Sequence, residues 1–319
     1  MAVSQQLLFK LGADSRDLRA KLRQVKTDVR NALRDVAVLG GAIGVESVRR
    51  AVDFQASMAE VNTIMRGSPA EVAALSKEML RLSMATGATT KELVGGLYDA
   101  LSAGVPKENA VNFLTVATKA AIAGVTDTKT AVNGMTSVMT GWAVAAADTE
   151  KVADAFFATV RLGKTTFADL SANIGKVGPT ASAMGVSFEE TMAALATLTL
   201  TGMKTEQAAT SLRGALVALS QPSPKLQEAL SKIGYSSATA MLEALPFQEA
   251  LAKLAGTTDG TAEAMRDLFP NVEGMQGALG LVGINAANAA SHLRQVTNSA
   301  GDMGVAFTEM ENTGKASLN

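Results

Sequence analysis

Apolar residues recur at helical spacing along most of the chain. The first stripe is Leu18, Leu22, Val25, Val29 and Leu33, spaced 4, 3, 4 and 4, with Val36 three residues on. That is close to a heptad seam, which a partner helix can cover. Gly40, Gly41 and Gly44 then interrupt the pattern, as a flexible joint or a close helix crossing does. The period resumes in RRAVDFQASMAEVNTIM, residues 49–65, where Val52, Met58, Val61 and Met65 form one stripe, with Phe54 and Ile64 at its edges. No group in this segment suggests catalysis, so its ordered apolar face points to packing or assembly.

From Gly67 the pattern acquires a rhythm. Glycines fall at 67, 87, 104, 124, 141, 163, 185 and 202, a near-even spacing that leaves room for one short helix and a joint between each. Many are followed by Ser or Thr and an acid, as in GATTKE (87–92), GKTTFAD (163–169) and GVSFEE (185–190). Glycine ends a helix in the left-handed conformation that other residues resist. Ser or Thr then caps the next helix by accepting a bond from a free backbone N–H. Gly87, Gly104, Gly124, Gly163, Gly185 and Gly202 are therefore the expected helix joints. Ser68 with Glu71, Thr89 with Glu92 and Ser187 with Glu190 have capping-box spacing. Pro69 and Pro224 each follow a Ser, at the first helical position.

Between the joints the apolar faces keep the helical period, for example Val72, Leu75, Met79 and Leu82, or Phe188, Met192, Leu195 and Leu198. No convincing alternating strand pattern occurs. The expected fold is all-α: long N-terminal amphipathic helices followed by an array of about eight short helices joined as hairpins. Three regions are expected: an N-terminal helical or coiled-coil segment at 1–66, a helical-hairpin core domain at 67–256, and a Gly/Ala-rich helical segment at 257–319. In the last, one short helix stops before Pro270. Gly274, Gly277, Gly280 and Gly283 recur every third residue, a smooth stripe open to close backbone approach. AFTEMENTGKASLN begins a further amphipathic helix, and the chain reads as cut short or continuing in another polypeptide.

Composition sharpens this picture. The 319 residues are 47% hydrophobic but only 4% aromatic and 18% charged, against about 25% charged in ordinary domains. Ala, Val, Leu and Met suit close helix packing better than a rigid aromatic-lined ligand pocket. Cysteine is absent, which excludes disulfides, a thiolate nucleophile and cysteine metal sites. One histidine, His292, excludes multi-histidine metal sites and leaves little scope for histidine catalysis. The net charge of −1 gives no global pull toward nucleic acid, although the first 50 residues carry a local excess of +5. That basic face reads as solvated surface, or as contact with an acidic lumen or DNA phosphates.

The candidates for chemistry are few. ATVRLGKT, residues 158–165, matches a relaxed phosphate loop with Ala158 for the first glycine. Such a loop needs a strand before it, and DTEKVADAFFATVRL is helical by period. The pairs Glu189–Glu190 and Glu309–Glu311 lie where capping and solubility account for them. His292 reads as a helix-surface or interface residue, and Trp142 as an aromatic plug at a joint. No catalytic residues, cofactor-binding residues or metal ligands are assigned.

AVDFQASMAEVNTIM, followed by SPAEVAALSKEMLRLSMATGATTKELVGGLYDALSAGV, resembles the core of tape measure proteins from long-tailed phages. So does the stretch from RLGKTTFADL to SKIGY. It carries the family's order of Gly163, Val177-Gly178-Pro179, Ala183, Gly185, Glu189-Glu190, Gly202, Ala208-Ala209, Leu212-Arg213 and Pro222. The resemblance covers roughly residues 45 to 315. It implies a structural assembly protein without a cofactor, lying in the tail tube lumen of the virion, made in the host cytoplasm, setting tail length and assisting DNA passage into the host. The partners it implies are further copies of itself, as a trimer or hexamer, the tail tube protein, tail assembly chaperones and baseplate or tail-tip proteins, with DNA or membrane contact. Because helix rises about 1.5 Å per residue, length can be encoded as residue count. Members are commonly much longer, and hairpins cannot form one straight rod, so the chain reads as a short ruler, a fragment or the folded end domain of one.

Three other classes compete. The uncharged Gly-rich segment 274–293 and the low charge suggest a membrane-active helical protein that inserts into or permeabilises the host envelope. An enzyme, for which the residues of acid–base or metal catalysis are nearly absent, and a host-side scaffold unrelated to phage are the others.

Overall fold

A computed structural model describes residues 41–258 and 261–316. The stripe Leu18, Leu22, Val25, Val29 and Leu33 lies outside the described residues. Among the described residues, every regular element is helical: sixteen α-helices and two short 3₁₀ turns. The chain divides into two compact units, Met1–Thr63 and Ile64–Asn319. Most of α1 (Gly41–Met65) belongs to the first.

The second unit is built from four helical hairpins in succession. They are α2 (Pro69–Thr86) with α3 (Thr90–Ser102), α4 (Ala110–Ala123) with α5 (Thr128–Trp142), α6 (Thr149–Leu162) with α7 (Phe167–Ala183), and α8 (Phe188–Leu200) with α9 (Thr205–Ser220). The joints within the hairpins begin at Gly87, Gly124, Gly163 and Gly202, an almost constant interval. The joints between hairpins account for the glycines that alternate with these, so the glycine rhythm is half of a structural repeat. First helices stack on first helices, α2 on α4, α4 on α6 and α6 on α8. Second helices likewise stack α3 on α5, α5 on α7 and α7 on α9. The result is a two-layered array in which each hairpin covers the apolar face of the one before, the logic of helical repeat proteins.

Seven further helices complete the unit: α10 (Pro224–Lys232), α11 (Ala238–Ala244), α12 (Phe247–Ala255), α13 (Ala262–Leu268), α14 (Val272–Leu279), α15 (Ala286–Thr297) and α16 (Asp302–Ala316). The segment 67–256 therefore holds eleven helices rather than about eight. Most of the additional breaks are not made by a glycine of the rhythm. Ala143 takes the left-handed conformation itself (φ 53°), and prolines stand at the breaks before α10 and α12. α14 extends the second layer beyond α9. α15 and α16 turn back across the first layer, α15 on α8 and α6, α16 on α6 and α4.

Two features hold the layers. An aromatic run crosses the array: Trp142 meets Phe188 edge-on at 5.6 Å, and Phe188 and Phe167 both adjoin Phe156, at 6.2 and 4.8 Å. Phe156 and Phe167 are fully buried, each contributing roughly 1.5–3 kcal/mol by the usual area scaling. Elsewhere the layers touch through missing side chains. A methyl at Gly134 of α5 would strike Ser171 of α7, and one at Gly274 of α14 would lie 2.8 Å from the Gly214 carbonyl oxygen of α9. Gly277 is similarly pressed against Ser211. Gly280, by contrast, follows α14 and abuts Leu198, and Gly283 has φ 59°. Close helix approach is what a composition rich in small residues permits.

Candidate assembly surface

On α1, Met58 and Val61 are buried, at 2% and 1% exposure, while Val52 and Met65 are half-buried. No polar group of the stripe bears chemistry.

The joint residues behave in two ways. Gly87, Gly104, Gly185 and Gly202 have φ of 75°, 91°, 76° and 97°, the left-handed region in which a side chain is strained. Gly124 and Gly163 do not. Gly124 has φ −86° and Gly163 φ −108°. After Gly124 it is Val125 that turns left-handed, at φ 52°. The reason for glycine at these two positions is proximity. A methyl on Gly124 would lie 2.7 Å from Cβ of Phe167, and one on Gly163 would lie 2.6 Å from Oγ1 of Thr199.

Carboxylates fasten the joints. Ser68 with Glu71 and Ser187 with Glu190 form reciprocal capping boxes. Glu71 also receives a 2.9 Å bond from Lys107, and these contacts, with Lys107 first, hold its carboxyl down at about 2. Thr89 caps the backbone of Glu92, but Glu92 does not reciprocate. Its Oε1 instead accepts from the backbone N–H (3.0 Å) and hydroxyl (2.8 Å) of Thr128, capping α5 from the preceding hairpin. Glu190 uses its second oxygen to accept from the Phe247 N–H at 2.7 Å, at the start of α12. Buried Asp154 of α6 accepts from the N–H groups of Gly301 (2.9 Å) and Met303 (3.0 Å), capping α16. Each carboxylate meets the positive end of a helix dipole, which favours charge there. Sequence spacing reveals none of these long-range caps.

The remaining candidates resolve into structure. Trp142 closes the last turn of α5, its ring against Gly178 and its indole N–H donating to the Val186 carbonyl at 2.9 Å. His292 is not on a surface: it is buried in α15, its Nδ1 2.9 Å from the Thr197 hydroxyl, and burial pushes its pKa down. Residues 158–165 begin inside α6 and end in the joint before α7, so no strand precedes Gly163. The uncharged stretch 274–293 is split among α14, a 3₁₀ turn and α15, and no described helix is long and apolar enough to cross a membrane. Among the described residues, no group of three His, Asp or Glu side chains gathers as a metal site would require. A groove of about 670 Å³ opens between α7, α9 and α14, with Arg213 and Glu273 on its walls.

What remains is an array whose polar groups cap and tie helices. The family model of the phage-related minor tail protein matches residues 76–270, more than half of the chain, from within the first helix of the first hairpin through the fourth hairpin. The chain belongs to that family. It is 28% identical over 307 residues to a probable tape measure protein of Clostridium phage phiCD119, a match covering 93% of this chain and 32% of that protein. It is 27% identical over 222 residues to a tape measure protein of Pneumococcus phage Dp-1, covering 69% of this chain and 19% of that protein. The chain thus spans about a third or less of the curated relatives it matches. No solved structure matches it significantly. Membership of the family makes this a structural component of the phage tail, and so of the virion, and sets aside a scaffold unrelated to phage.

Proposed function

We propose that this chain is the folded part of a tape measure protein, which lies in the tail tube lumen, sets tail length and assists DNA passage. The hairpin core (67–256) and the segment 257–319 act as one folded body, preceded by a helical assembly segment at 1–66. Leu18, Leu22, Val25, Val29 and Leu33, with Val52, Met58, Val61 and Met65, serve helix packing and self-association there. The tail tube protein, tail assembly chaperones and baseplate proteins are the partners the role requires.

One observation carries the reading: the helices of the second unit bury their apolar faces on one another. Drawn out as one helix, residues 64–319 would run roughly 380 Å, and every one of those faces would be exposed. The body therefore does not count length, and the ruler lies in extended parts of the protein.

The test is tail length by electron microscopy after two insertions of six neutral heptads, each worth about 63 Å of helix. One goes behind Val36, the other into the connection between Thr258 and Thr261. The reading expects longer tails from the first and unchanged tails from the second. Unchanged tails from both would remove the ruler role from this segment. Longer tails from the second would show that the body is drawn out in the tube.

A further inference from the structure

We propose that the groove between α7, α9 and α14 pairs two copies of this chain about a two-fold axis, with Arg213 of each copy on Glu273 of the other. This pairing is separate from self-association through the stripes at 1–66. The groove holds about 670 Å³. Its floor is one face of α9, where Thr210, Gly214, Val217 and Ala218 leave a recess between the neighbouring helices. α15 and α16 cover the first layer, but here Val217 and Val272 stay 43% and 59% exposed. Beside the groove, Pro179 and Ala183 of α7 continue the uncharged surface. That extension matters, because a stable pair buries roughly 800 Å² per copy.

The charges select the occupant. Elsewhere in the second layer, ion pairs tie neighbouring helices: Lys129 of α5 with Asp99 of α3 at 3.7 Å, and Lys176 of α7 with Glu206 of α9 at 2.7 Å. Between α9 and α14 no such pair forms, although a methyl on Gly214 would lie 3.0 Å from Cβ of Glu273. Arg213 and Glu273 both line the groove, and both are exposed. Among the described residues, neither side chain has an ion pair or a hydrogen bond. A basic partner would satisfy Glu273 alone, and an acidic one Arg213 alone. A second copy, turned by half a revolution, offers each group its opposite, the self-complementarity of an isologous interface. Exposed ion pairs add little affinity, so the two crossed pairs fix the register. The valines supply the apolar contact.

Crosslinking of the full chain tests this. The protein lacks cysteine, so Val217→Cys places the only thiol in the groove, one turn from Arg213. A short bismaleimide should then link two copies. Arg213→Glu leaves two acids in the groove, and Glu273→Arg two cations. Either reversal in the V217C background should cut the linked fraction about tenfold, because like charges then meet at both crossings. Mixing the two reversed proteins, or combining both reversals in one chain, should restore it. Both side chains are exposed, so every variant should keep the parent's circular dichroism.

Sedimentation of the same samples separates the two associations. Copies joined only through 1–66 stay associated in every variant, with a linked fraction indifferent to groove charge. That result overturns the pairing and leaves the N-terminal reading standing. So does a V217C protein that never links. Loss in both reversals without recovery on mixing overturns the two-fold arrangement.

Discussion

Gly277→Ala should destabilise the protein although alanine is the better helix former. In α14, the new methyl would lie 2.7 Å from the Ser211 carbonyl carbon of α9, and nearer still to its oxygen. Ordinary contact begins near 3.4 Å, so α14 must withdraw by at least about 0.7 Å, enough to forfeit a quarter to a half or more of the dispersion energy across the crossing. Overpacking of this kind costs about 1–3 kcal/mol. Removing a helical glycine returns about 0.5–1 kcal/mol. The difference is a net loss of about 0–2.5 kcal/mol, toward the upper end for a backbone contact this close. Gly175→Ala in α7 is the control, because nothing lies within 4 Å of a methyl there and the propensity gain stands alone. Urea unfolding, followed by circular dichroism and by the fluorescence of the single tryptophan, Trp142, reads both. The midpoint should fall for G277A and rise for G175A, with the denaturant slope unchanged. A G277A protein as stable as the parent, or a G175A protein that loses as much, would refute the claim that backbone proximity sets these glycines.

Further outcomes follow from the caps and the pH behaviour. Asp154→Ala leaves the N–H groups of Gly301 and Met303 without their acceptor and should cost about 1–3 kcal/mol, read as loss of amide protection first in α16. Trp142→Phe deletes the bond to the Val186 carbonyl and should lower stability by about 1 kcal/mol in chemical denaturation monitored by circular dichroism. Glu71 is ionised in the folded state down to about 2 against an ordinary 4.5, so its contribution is whole above 4.5 and is lost as pH falls toward 2. A carboxyl titration by NMR should place it there, and Lys107→Met should raise it.

The sequence carries whatever is local. Ser68 with Glu71 and Ser187 with Glu190 are legible because both partners of a capping box lie within one turn. The left-handed joints at Gly87, Gly104, Gly185 and Gly202 are legible because glycine alone adopts that backbone cheaply. Gly124 and Gly163 look the same in sequence, yet their cause is Phe167 and Thr199, each in the following hairpin, and no local rule separates the two cases. Glu92 has capping-box spacing with Thr89 but serves Thr128, at the start of a helix in the next hairpin that local spacing cannot place beside it. His292 looks exposed among Ser, Ala and Asn because small polar neighbours mimic a surface. Its burial comes from α8, in the last of the four hairpins. The groove beside Arg213 has no local signal at all.

A row of stacked hairpins, taken alone, would come apart one pair at a time from whichever end is pulled, since each pair leans mainly on the next. The return of α16 onto α4 changes this. Asp154 holds Gly301 and Met303, Arg161 holds Asp302, and Lys119 lies over the Phe307 ring at 5.5 Å. The late part of the chain is thereby laced to the early part, and tension from the C-terminal side meets this seam before it reaches the hairpins. Drawn through a narrow opening, such a body would resist until the seam tore and then run out stepwise, its mechanical strength set by the buried Asp154 and a few surface contacts rather than by the size of its core.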